Sequence, residues 1–115
     1  MAAQEGGVVI DEQLRDAFQT GPLGVMVTRA ASRPLLEGLL EQAAQLGIAF
    51  RVFFTDEAVG LLSDIGWVEG LPEGSYAACD LSARRLGVQT SARVSMAGQY
   101  HNAMMVQDAA RVVSL

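Results

Sequence analysis

Two short apolar runs bracket one amphipathic stretch, and this arrangement constrains the fold more than any other feature of the chain. The runs are LGVMVT, residues 23–28, and IAFRVFFT, residues 48–55. Short, nearly continuous apolar segments of this kind suit strands buried on both faces. Between them Leu35, Leu36, Leu39, Leu40, Ala43 and Leu46 recur at helical spacing, while Glu37, Glu41, Gln42 and Gln45 fall on the other side. Ser32 is placed to cap this helix. Pro34 falls in its first turn, where a missing N–H is tolerated, and Gly47 suits the residue just past its end. Strand, helix and strand in this order predict a parallel βαβ unit.

The alternation continues downstream. Asp56 is expected to cap a short helix through Leu62, and SDIGWVEGLPEG reads as a loop carrying a partly exposed Trp67. SYAAC predicts a third strand. Asp80 is then expected to cap a helix from Leu81 to Leu86, ended by Gly87. ARVSM and RVVSL are further strand candidates, separated by a helical stripe through Tyr100 and Met104. Met104 and Met105 read as core or interface filler. The expected fold class is α/β: a three-layer α/β/α sandwich on a mostly parallel sheet of about five strands, flavodoxin-like in its layering.

Residues 1–20 stand apart as an acidic extension, with Glu5, Asp11, Glu12 and Asp16 against Arg15. Asp11 to Phe18 fits a short helix whose apolar face would dock on the domain or on a neighbouring subunit. Gly21 and Pro22 end it, so residues 21–115 form one α/β domain. Half the chain is hydrophobic and 18% is charged, a balance that builds a core and opposes disorder. The apolar excess also suits subunit contacts.

The net charge of −5 disfavours attraction to nucleic acid or anionic lipid. All eight basic residues are arginine, so no lysine serves a Schiff base or a Walker A loop. The N-terminus lacks the pattern of a signal peptide, and no apolar run is long enough to span a membrane. A soluble cytoplasmic domain is expected, from a bacterial source.

One cysteine, Cys79, leaves no internal disulfide to form. It ends the third expected strand, and in open parallel sheets ligands bind beyond the carboxyl ends of the strands. The start of the following helix would favour a thiolate, the reactive form of cysteine. Ser82, one turn on, is placed to donate to the sulfur. Arg84 and Arg85 add positive potential if they turn toward it, whereas the carboxylate of Asp80 acts against ionisation. The alternative is a small apolar residue filling the core, since unbridged cysteine is among the most buried residue types.

RVFFTDEAVGLLSD, then YAACDLSARRLGV, then QDAARVVSL together resemble the DsrE-like family of sulfur-relay proteins, over residues 23 to 115. The active cysteine of that family opens a C-x7-G-V segment, which Cys79, Gly87 and Val88 match. The resemblance implies a persulfide carrier that takes sulfane sulfur from a donor protein and delivers it to an acceptor protein. It also implies assembly as a trimer or hexamer, from one chain type or from related subunits. On this reading Cys79 carries the sulfur, Ser82 and Asp80 flank it, and Asp56 and Arg29 line the approach from neighbouring strand ends. A chain that keeps the fold as a non-catalytic oligomerising or regulatory module remains the alternative.

Other chemistries find less support. Asp56 ends a strand as a phosphoacceptor would, but a receiver domain also needs an acidic pair after its first strand and a late lysine. TRAASRP, after the first expected strand, lacks the glycine of a flavin phosphate loop, though Arg29, Ser32 and Arg33 could hold a small anion or nucleotide phosphate. His101, the only histidine, makes a Cys–His pair only if it meets Cys79 in space. One cysteine and one histidine cannot assemble a four-ligand zinc site. No cofactor or metal is therefore expected.

Overall fold

The computed structural model describes residues 22–98 and 111–115. The expected N-terminal helix, the stripe through Tyr100 and Met104, and His101 lie outside the described residues. In chain order the elements are β1 (Leu23–Val27), α1 (Arg33–Gln45), β2 (Phe50–Phe54), a 3-10 segment (Asp56–Ser63), α2 (Ile65–Glu69), β3 (Ser75–Cys79), α3 (Asp80–Leu86), β4 (Val94–Ala97) and β5 (Arg111–Ser114). A short 3-10 turn, Ala30–Ser32, leads into α1.

All five strands are parallel and lie in the order β4-β3-β2-β1-β5. The fold is thus the α/β, flavodoxin-like class that the alternation predicts. From β1 to β4 each crossover steps one strand in the same direction. Right-handed connections then place every intervening helix on one face of the sheet. The core agrees: Leu36, Leu40 and Ala43 of α1, Ala58, Val59 and Leu62 of the 3-10 segment, Val68 of α2 and Ala83 of α3 all join Val25, Val27, Val52, Phe54, Tyr76 and Ala78 in one cluster. Strand alternation sends Phe53, Ala77 and Cys79 to the other face, with Met26 and Ala97 packed against them.

The end of α1 behaves as Gly47 predicts. Gly47 has φ +70°, and the N–H groups of Gly47 and Ile48 donate to Ala44 O and Ala43 O at 3.2 and 2.9 Å. This is the paired bonding of a Schellman motif, and it draws Ile48 out of β2, which begins at Phe50. The α1 stripe is narrower than expected. Leu35 and Leu46 are 67% and 70% exposed, because the buried line runs through Leu36, Leu40 and Ala43. Ser32 holds the cap position, but its side chain makes no cap bond.

The segment read as a loop contains a helix. Asp64 Oδ1 accepts the Trp67 N–H at 3.1 Å and starts α2, a capping signal masked by the flanking glycines. Trp67 is half-buried, edge-on to Phe54 at 6.4 Å. Arg93 secures the C-terminal end of α2, donating to Val68 O at 2.8 Å, Glu69 O at 3.3 Å and Pro72 O at 2.7 Å.

Candidate functional site

The register of the sheet decides which strand ends meet. Phe54 lies beside Ala78, so the next residues, Thr55 and Cys79, leave β2 and β3 together. Cys79 also lies beside Ala97 of β4, which brings Gly98 to the same edge. A cleft of about 420 Å³ opens where these three exits converge. Its lining includes Thr55, Asp56, Cys79, Asp80, Ser82 and Gly98, with Leu81, Arg84 and Arg85 completing the wall.

Cys79 occupies the N-cap position of α3, with extended backbone and no cap bond from its side chain. It is the last residue of β3 as well, so strand and helix join without a linker. It is 4% exposed and packs with Phe53 and Ala77 on the face opposite the main core. The sequence posed reactive and packed as alternatives, but this thiol is both packed by hydrocarbon and part of a cleft wall.

Asp80 does not cap α3; it is the first helical residue, because the strand runs one position further than a capping aspartate allows. Its Oδ2 lies 3.0 Å from Arg84 NH2, one turn along. The carboxylate nearest the sulfur in sequence therefore has a counter-charge. The pair is largely solvated and adds little to stability.

Asp56 also differs from expectation. Thr55 holds the cap position of the 3-10 segment, and Asp56 adopts φ +52°, in the left-handed region that Asp tolerates better than most residues. Its N–H donates to Ser82 Oγ at 3.1 Å. Ser82 is 2% exposed, so this bond ties the β2 exit to the first turn of α3 inside the cleft. The expected role of Ser82 was to donate to sulfur. The observed bond uses the hydroxyl as acceptor and leaves its hydrogen to donate elsewhere.

Arg29 is not brought to this cleft. It is exposed after β1, and its carbonyl accepts the Ser32 N–H at 3.1 Å. The neighbouring Ala30 N–H donates to Glu57 Oε1 at 3.2 Å. Arg33 is engaged as well, 3.4 Å from Glu37, 3.5 Å from Asp64 and stacked on Trp67 at 4.6 Å, which removes it from an anion site after β1. Thr55, Leu81 and Gly98 are the cleft residues that sequence reasoning missed. A signal for Thr55 was present: FFTD and AACD place a small residue and then Asp at two parallel strand exits.

Among the described residues no three His, Cys, Asp or Glu side chains converge as metal ligands, and no helix is long and apolar enough to cross a membrane. Compared with protein-family models, curated proteins and solved structures, the chain matches none of them.

Proposed function

We propose that the chain is a persulfide carrier in which Cys79 accepts sulfane sulfur from a donor protein and passes it to an acceptor protein. One observation carries this reading: the single thiol of the chain lies in a cleft where three parallel strand exits meet, on the carboxyl edge of the sheet, the edge at which open α/β sheets bind ligands. The resemblance of its surroundings to the DsrE-like family supplies the chemistry.

In the loading step the Cys79 thiolate attacks the outer sulfur of a donor persulfide. A new S–S bond forms, the donor S–S bond breaks, and the donor leaves as a thiolate. In unloading, an acceptor thiolate attacks the outer sulfur of the Cys79 persulfide, and Cys79 is the leaving thiolate. Each step moves one sulfur with six valence electrons and needs no added oxidant. The Asp80–Arg84 pair limits repulsion from the adjacent carboxylate. Assembly into a trimer or hexamer, alone or with related subunits, and a cytoplasmic setting belong to the same proposal.

The test is to treat the full chain with a small persulfide donor and weigh the intact protein. Gain of one sulfur in the wild type but not in Cys79→Ser supports the carrier. Absence of the adduct, or its survival in Cys79→Ser, refutes it.

A second reading, a non-catalytic oligomerising module, is favoured by the 4% exposure of Cys79 and by the outward-facing Leu35, Leu46, Leu81 and Leu86. Alkylation separates the two. A carrier thiol reacts in the native protein, whereas a structural one reacts only on unfolding. Binding of a small anion or nucleotide is the weakest alternative, because Arg33 is held by carboxylates.

A further inference from the structure

A second cleft, of about 350 Å³, lies between α1 and α2, away from the strand exits. Trp67, Leu71 and Pro72 contribute its apolar surface, and Gly66 and Gly70 leave it open where side chains would intrude. One wall carries Glu37 and Glu41, one turn apart on α1. Glu37 Oε2 accepts the Trp67 indole N–H at 2.8 Å and so fixes the ring. Glu41 is exposed and makes no ion pair among the described residues. Asp64 stands at the start of α2, and among the described residues Arg33 is the one cation paired with these carboxylates, through Glu37 and Asp64.

We propose that this cleft docks a basic segment of a partner protein, seating an Arg or Lys side chain with its stem over Leu71 and Pro72 and its charged head at Glu41. Three observations converge on that occupant. The carboxylates outnumber the cation beside them, and the whole chain is acidic, so a positive partner is attracted and an acidic one repelled. The surface pairs an apolar floor with a charged wall, which matches the two-part chemistry of a long basic side chain. The Trp67 indole, which lines the cleft, stacks the guanidinium of Arg33 beside it, so this ring already pairs with a group of the same chemistry. The volume is at the small end of ligand pockets, which suits one or two side chains better than a cofactor. The inference is independent of the chemistry of Cys79.

Trp67 is the only tryptophan, so its emission reports the site directly. The full chain is titrated with an acetylated tetra-arginine amide and with its tetra-glutamate counterpart. A saturable emission change with the basic peptide alone is expected. Glu41→Gln should raise its midpoint about two- to fivefold, the range for one exposed charge pair. Glu57→Gln, which removes the same charge at the β1 and β2 exits, should leave it unchanged. No saturable change, or equal midpoints in wild type and Glu41→Gln, overturns the proposal. An identical response to tetramethylammonium at the same concentration overturns the partner segment in favour of a small cation.

Discussion

Gly74 sits where the chain turns into β3, and adding one methyl group there tests the packing that aligns the strands. A Cβ at this position would fall inside contact distance of Phe50 Cε1, and 2.7 and 2.9 Å from Cζ and Cδ1. Carbon pairs settle at about 3.5–4.0 Å, so the ring would have to retreat by roughly 1 Å. It has little room. Phe50 is buried, and its ring meets Tyr76 edge-on at a centroid distance of 5.9 Å.

Overpacking of this kind costs about 1–3 kcal/mol, offset by about 0.4–1 kcal/mol because alanine restricts the unfolded chain. The difference spans about 0–2.6 kcal/mol, and with three ring atoms of a buried side chain inside contact distance Gly74→Ala should fall in the middle of it, at about 1–2 kcal/mol. For a domain of this size that lowers Tm by about 4–16 °C. Urea and thermal unfolding of both proteins measure it. The decisive comparison uses Phe50→Leu, which removes the ring: in that background Gly74→Ala should cost little or become favourable. An equal cost in both backgrounds would refute the steric argument, as would a neutral effect of Gly74→Ala in the parent.

Arg93 is expected to be a stability residue: Arg93→Met removes charge-assisted bonds to three carbonyls and should cost about 2–4 kcal/mol in urea unfolding, with Arg93→Lys recovering only part because lysine cannot fork. Burial pushes the Tyr76 phenol up to about 12, with the nearby Arg93 cation opposing that rise and Glu73 adding to it. An unfolded tyrosine ionises near about 10, so between the two values the native state binds the extra proton and stability falls as pH rises, by about 1.4 kcal/mol per unit. Unfolding midpoints followed across that window should decline, and Tyr76→Phe should flatten the decline.

The sheet was legible in the sequence because buried parallel strands are written as short apolar runs, and SYAAC and RVFF needed nothing beyond that. Gly47 and Gly87 marked two helix ends for a local reason: both adopt positive φ, which other residues resist. What sequence could not supply was the register. Thr55 and Gly98 become cleft residues only through pairing with β3, and no local pattern encodes that alignment by itself. Helix α2 was hidden because Gly66 and Gly70 lower helix propensity, while its support comes from the Asp64 cap and from Arg93, distant in sequence. Asp80 and Asp56 were each assigned the capping position one residue late, since the preceding Cys79 and Thr55 serve as the strand-to-helix junctions. Cys79 itself could be located at a strand end, but its degree of burial depends on Phe53 and Ala77, whose orientation follows from strand alternation.

The pairing of β1 with β5 has a consequence for how the molecule is made. Residues 111–114 complete the hydrogen bonding of a strand that emerges from the ribosome far earlier. Until they arrive, one flank of the nascent sheet presents bare amides and carbonyls along Gly24, Val25 and Met26, an adhesive template for any extended chain nearby. Thr28 reinforces the late closure, its N–H and hydroxyl both donating to Leu115 O. A ribosome that stops short of this strand would release a product prone to clumping, so the codons for residues 111–114 guard solubility as much as shape.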